Sequence, residues 1–180
     1  MRNYLYSTIL IIILLFVWEM GARFVNTSFI LPSPTEISIK LWELKEVLFL
    51  HHLPITLVVI AIGLGISLVL GITLAISMNI SKTLEQAFYP ILITSQTIPI
   101  IALAPIFVLW FGYSIWSKIV VTIIITFFPI TVSTFDGFRS TNKELKELFQ
   151  TLGASKRQLF FKLEVPSALP SFFSGLKVAV

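Results

Sequence analysis

Two groups of residues in this 180-residue chain have the types and spacing to do chemistry, and neither resembles a catalytic centre. The first is Glu147–Pro170, ELFQTLGASKRQLFFKLEVPSALP, a charged amphipathic stretch in an otherwise oily sequence. It sets Gly153, Pro166 and Pro170 at fixed offsets among short helical patterns. Its chemistry would be recognition: an apolar helix face seats in a partner's cleft while the charged face stays in water. The second is the polar run Thr94, Ser95, Gln96 and Thr97, just before Pro99 in an apolar stretch. Polar side chains at membrane depth face a protein interface or a water-filled cavity. Ser95, Gln96 and Thr97 are therefore candidates to line a solute pathway, Gln96 foremost, and hydrogen bonding between helices is the competing reading for each.

Other reactive types lack the company that chemistry needs. His51 and His52 are adjacent, so their side chains diverge on a helix, and a surface pair is expected rather than a metal site. With no cysteine, disulfides and thiolate metal sites are not available. There is no Gly-rich phosphate loop followed by Lys-Ser/Thr, so the chain is not expected to hydrolyse ATP itself. No nucleophile–base pair stands out, and neither a cofactor nor a catalytic residue is expected.

The elements that must position the first group can be read locally. Thr141-Asn142-Lys143-Glu144 fits a capping box, with Thr141 and Glu144 satisfying free amides at a helix start. Leu145, Leu148, Phe149 and Leu152 follow at i, i+3, i+4 and i+7, one apolar stripe. Gly153 stands where helices commonly end in a left-handed residue. Ser155 and Gln158 form a second capping signal, and Leu159, Phe160 and Leu163 a second stripe that Pro166 is expected to stop. The expectation is two short amphipathic helices joined by a tight bend. On periodicity alone, a plain loop resting on the membrane surface and a docking element are both open.

The surrounding composition is that of a membrane protein. Hydrophobic residues make up 56% of the chain and charged residues 12%, an excess no globular core requires. A bilayer core needs about 20 apolar residues of helix. Four windows come near or exceed this, predicting spans at about residues 4–20, 54–78, 87–109 and 119–135, the third broken by Pro90, Pro99 and Pro105. Arg2 before an apolar run resembles a signal peptide, but no small-residue cleavage site follows Trp18, so an uncleaved first span is expected. Pro32 and Pro34 make residues 26–35 a loop, followed by a short surface helix that Thr35 could cap. Gly63, Gly65, Ser67, Gly71 and Ala75 let a neighbouring backbone approach the second span closely.

Four spans put the N-terminus and the 136–170 loop on the same side. That loop holds Arg139, Lys143, Lys146, Lys156, Arg157 and Lys162, and basic loops mark the cytoplasmic face. Lys118, and the loop with Arg23, Lys40 and Lys45, run against this assignment. A cytoplasmic N-terminus is expected, and nucleic-acid binding is not. After Pro170, residues 171–180 begin another apolar helix that reaches only about 15 Å, so the chain reads as a fragment of a longer protein. The predicted fold is an all-α polytopic helix bundle, a single membrane domain with an amphipathic cytoplasmic loop over residues 139–170.

Glu147-Leu148-Phe149-Gln150-Thr151-Leu152-Gly153-Ala154-Ser155, followed by Val165-Pro166 and Pro170, resembles the EAA loop of bacterial ABC-importer permease subunits. The family pattern is Glu-Ala-Ala, three residues, Gly, then an aliphatic-Pro about a dozen residues on. Leu148 and Phe149 depart from it, standing where the family usually has alanines. Leu31-Pro32-Ser33-Pro34, Gln96-Thr97-Ile98-Pro99 through Trp110-Phe111-Gly112, and Phe127-Phe128-Pro129 are similar to the nitrate/sulfonate/taurine-type branch. Asp136-Gly137-Phe138-Arg139-Ser140 and Ser174-Gly175-Leu176-Lys177-Val178-Ala179 are similar to its thiamine pyrimidine-precursor permeases.

The resemblance implies a pathway formed with a second permease subunit, such as an identical copy, in the bacterial plasma membrane. It also implies two cytoplasmic ATPase subunits docked on the loops and an external substrate-binding protein that delivers a small polar solute. On the loop it implies a polar contact at Glu147, with Leu148 and Phe149 on the docking face. Gly153 and Ala154 would make the bend, Leu152 and Leu159 would be apolar anchors, and Pro166 would close the pattern. A membrane scaffold or sensor whose loop docks another cytoplasmic partner is the alternative. An intramembrane enzyme is disfavoured, because the spans hold no paired ionisable residues.

Overall fold

A computed structural model describes residues 2–25, 27 and 29–180, and the described residues are mostly helical, joined by turns and short links, with no strand among them. Asn26 and Ser28 of the expected 26–35 loop lie outside the described residues, as does the Arg2 side chain. Contacts divide the chain into two compact units, Met1–Ile55 and Thr56–Val180.

In the first unit, helix α1 (Arg2–Val25) and helix α2 (Pro34–Glu43) are joined through Glu19. Its carboxylate accepts from Arg23 Nε at 2.7 Å, Thr35 N at 3.1 Å and Thr35 Oγ1 at 2.8 Å. Thr35 is therefore not the cap of α2, as the sequence suggested. Ser33 is: its Oγ accepts from Glu36 N at 3.2 Å while Glu36 Oε2 takes Ser33 N at 3.1 Å. The proline explains the shift. Pro34 has no amide to satisfy in the first turn and holds the preceding residue extended, the backbone a cap needs.

The second unit runs through α3 (Leu53–Ile80), which begins just before it, α4 (Lys82–Ser95), α5 (Ile100–Phe111) and α6 (Ile115–Arg139). It continues through α7 (Lys143–Thr151), α8 (Lys156–Leu159) and α9 (Val165–Ala179). Three helices among the described residues are long and apolar enough to cross a membrane: Leu5–Val25, Val47–Ile80 and Ile115–Arg139. The segment expected as a third span, 87–109, is two helices. Pro90 and Pro105 are accommodated inside them, and the chain unwinds at Gln96–Pro99. Pro99 lacks an amide and disfavours helical geometry at Ile98, so the break falls there.

Helix α6 is the element around which this unit packs. Against α3, the Ser67 hydroxyl donates to Ile123 O at 2.9 Å, and Thr126 Oγ1 donates to Ser67 Oγ at 2.6 Å. A Cβ at Gly71 would come within 2.8 Å of Thr131 Oγ1. The small residues thus bring two backbones together, as expected, except for Gly65, which is exposed and has nothing within 4 Å. Against α9, a Cβ at Gly137 would meet the Ala168 backbone at 2.9 Å. Beside these seams Ala75, Met78, Leu92, Val132, Phe135, Phe138 and Ala168 form one apolar core drawn from α3, α4, α6 and α9. Elsewhere the long helices leave broad apolar faces bare, the surface a bilayer covers.

Pro166 does not stop the second helical segment. The chain stays helical from α8 through a widened turn, Phe160–Glu164, into α9, with Val165 N donating five residues back to Phe160 O. A similar widened turn, Val47–His52, precedes Pro54. A proline ring crowds the carbonyl four residues back, and a five-residue turn just ahead of it opens the helix enough to continue.

Candidate functional site

The 139–170 loop is built on one helix, one turn and the start of a second helix. Asn142, not Thr141, caps α7: its Oδ1 accepts from Glu144 N at 2.7 Å and Leu145 N at 3.4 Å. Thr141 instead is buried, and its hydroxyl has no partner among the described residues. Asparagine makes the same cap one residue later, so α7 starts at Lys143 rather than Asn142.

The helix ends as its glycine demanded. Gly153 has φ +75°, a conformation that suits a residue without a side chain. Gly153 N donates to Gln150 O and Ala154 N to Phe149 O, both at 2.9 Å, the paired bonds of a Schellman turn. Ser155 and Gln158 then form the expected capping box, Ser155 N to Gln158 Oε1 at 2.8 Å and Gln158 N to Ser155 Oγ at 3.3 Å.

This geometry sorts the candidate side chains. Leu148 and Leu152 project from α7 at 51% and 76% exposure, and Leu145 joins them at 43%. Phe149, on the same predicted stripe, turns inward and is half-buried. Phe149, Leu152, Gly153 and Ala154 line one shallow hollow of about 280 Å³ with Gln158 and Lys162. Glu147 is exposed, with no side-chain hydrogen bond among the described residues, while its carbonyl accepts from Thr151 Oγ1 at 2.9 Å. Leu159 lines a second hollow with Asn79, Gln150 and Glu164. Pro166 lies apart from these, in the first turn of α9.

The second group sits elsewhere. Ser95 ends α4, and Gln96 and Thr97 occupy the unwound link to α5. The hydroxyls of Thr94, Ser95 and Thr97 donate to Pro90 O, Leu92 O and Thr94 O at 2.8, 2.8 and 2.7 Å. They serve their own backbone rather than a neighbouring helix. Gln96 is exposed and free of side-chain hydrogen bonds among the described residues, the one member of the run with its polar group unspent.

Sequence reasoning missed the groups that hold the loop. Glu164, in the widened turn, accepts from Lys146 Nζ at 2.7 Å through Oε1 and from Asn79 Nδ2 at 2.9 Å through Oε2. One carboxylate thus ties α7 to the end of α3 and the start of α9. A pair this enclosed costs up to about 3–5 kcal/mol to break from one side, less here because Lys146 keeps 26% of its side-chain surface in water. On the other side, Tyr89 Oη donates to Asp136 Oδ1 at 2.9 Å, Arg139 lies 3.9 Å from Glu85, and its guanidinium sits 5.4 Å from the Tyr89 ring centre. The only sequence signal for Glu164 was a carboxylate set between Leu163 and Val165, where a solvated charge would not be expected.

Residues 67–180 match the family model described as binding-protein-dependent transport system inner membrane component. The chain is 56% identical over 181 residues to the formylaminopyrimidine transport permease protein ThiX of Halalkalibacterium halodurans, covering 99% of this chain and 72% of that protein. It is 35% identical over 180 residues to the riboflavin transport system permease protein RibX of Chloroflexus aurantiacus, covering 94% and 64%. It is 27% identical over 169 residues to the taurine transport system permease protein TauC of Escherichia coli, covering 91% and 62%.

Proposed function

The chain belongs to the family of binding-protein-dependent transport system inner membrane components, and on that footing we propose that its 139–170 loop couples solute movement to a cytoplasmic ATPase. Membership makes it a multi-pass permease of the plasma membrane, a transport subunit whose partners are ATPase subunits and a substrate-binding protein. The resemblance read from the 147–170 spacing and from the nitrate/sulfonate/taurine-type stretches is borne out by this family and these relatives.

The observation that carries the coupling reading is the Schellman turn at Gly153. It ends α7 so that Leu148 and Leu152 stand in the open beside the unpaired carboxylate of Glu147. Apolar knobs rimmed by a charge are what a helix seated in a partner's cleft requires. Phe149 and Ala154 support that helix from within, and Leu159 borders its neighbouring hollow. ATP would be hydrolysed on the separate subunit. Closure of the ATPases would push α7, and the spans would rock between inward-open and outward-open states.

The solute is proposed to be a formylaminopyrimidine-like thiamine precursor, on the identity shared with ThiX. The exposed amide of Gln96, at an unwound link beside Ser95 and Thr97, is suited to pass a small polar ring, since non-helical backbone at membrane depth is tolerated where it lines a cavity. A second copy of the chain would complete the pathway, with the N-terminus and the 136–170 loop both cytoplasmic. The test is uptake of labelled formylaminopyrimidine into vesicles holding the permease, the ATPase and the binding protein. ATP-dependent uptake that Gln96→Ala lowers is the expected result. Capture of no ATPase by the intact permease would favour the scaffold reading instead, and uptake of taurine but not the pyrimidine would move the substrate.

A further inference from the structure

Glu164 holds more than a local ion pair, and its position joins the loop to two other helices at once. Its carboxylate is largely enclosed, one oxygen on Lys146 of α7 and the other on Asn79 at the end of α3, while its own backbone lies in the widened turn that opens α9. We infer that Glu164 is the positioning residue that makes α7, α3 and α9 move as one body, so that a push on α7 reaches the membrane helices. This rests on the coupling reading above and adds to it where the push is transmitted.

The physical argument is one of alternatives. Were α7 to slide without α3 and α9, Glu164 would keep its burial and its Asn79 bond but lose Lys146, leaving a charge in a poor solvent with half its partners gone. Moving all three together costs none of these bonds. The turn geometry contributes as well. A five-residue turn widens the helix at Phe160–Glu164, and Leu163 within it is buried, so the largely enclosed carboxylate stands beside a buried leucine rather than on a flexible surface stem. Charged and polar groups nearby, Gln150, Lys156 and Arg157, line the adjoining hollow without a hydrogen bond to Glu164 among the described residues.

The test uses the full permease in vesicles with its ATPase and binding protein, reading ATPase capture, hydrolysis and import side by side. Lys146→Met and Glu164→Gln are each expected to keep capture within about twofold and to lower solute imported per ATP hydrolysed by about fivefold, a size within the reach of single coupling residues. The exchanged pair, Lys146→Glu with Glu164→Lys, is expected to regain most of that ratio, because the Asn79 amide can turn its oxygen to the new lysine. A ratio unchanged in the single variants would overturn the inference. So would import and hydrolysis falling together, loss of capture in the single variants, or an exchanged pair no better than the worse single. Failure of the unaltered permease to capture any ATPase would instead strike the coupling reading itself.

Discussion

The Tyr89 hydroxyl donates to Asp136 across 2.9 Å, joining the helix that leads to the Gln96 break to the helix that runs into the 139–170 loop. Beside it the Tyr89 and Phe135 rings lie 5.2 Å apart, and the Arg139 guanidinium sits over both. Tyr89→Phe keeps the ring contacts and removes only the bond. With Asp136 exposed, the loss should be about 1 kcal/mol, read as a lower denaturation midpoint in detergent, and Asp136→Asn should cost no more than that.

Two glycines should respond differently to the same change. Gly137→Ala drives a methyl into the Ala168 backbone at 2.9 Å, a rigid obstacle, and should destabilise by about 1–3 kcal/mol. Gly65→Ala meets nothing within 4 Å and should be neutral or gain about 0.5–1 kcal/mol of helix preference. Unfolding of the two variants under matched detergent conditions checks the pair.

At Gly153 the backbone itself makes the prediction. Gly153→Ala must place a side chain at φ +75°, costing about 1–2 kcal/mol. Gly153→Asn should be the milder change, because asparagine tolerates left-handed geometry at helix ends. Capture of the ATPase should fall in the same order, alanine below asparagine below glycine.

Leu152 separates docking from folding. It is 76% exposed, so Leu152→Glu should leave stability within about 0.5 kcal/mol. Placed in a partner's apolar cleft, the same charge would be desolvated, and ATPase affinity should drop by about tenfold or more. Unchanged affinity by co-purification or titration would remove Leu152 from the docking face.

What was legible in the sequence was whatever depends on near neighbours in the chain. Apolar windows, the Gly153 turn and the Ser155–Gln158 box each follow from a few consecutive residues. So did the exposed leucines of α7, by their helical spacing. Where local signals competed, the choice went astray by small steps. Ser33 and Asn142 took the caps assigned to Thr35 and Thr141, since serine, threonine and asparagine all cap well and a proline or one residue of register decides among them. Pro166 read as a stop because a local rule cannot see a widened turn absorbing its ring.

The sequence by itself determined that this is an all-α membrane chain with an amphipathic, glycine-bent loop. Composition and periodicity are properties of segments, and the hydrophobic effect and backbone hydrogen bonding act on segments. Only the tertiary structure decided that Glu164 joins Lys146 to Asn79, eighteen and eighty-five residues away along the chain. It alone decided that Tyr89 meets Asp136, and that Gly65 faces away from the seam its neighbours fill. Such pairings arise when helices pack and a charge or a missing side chain is enclosed from several directions at once, and no window of adjacent residues contains that information.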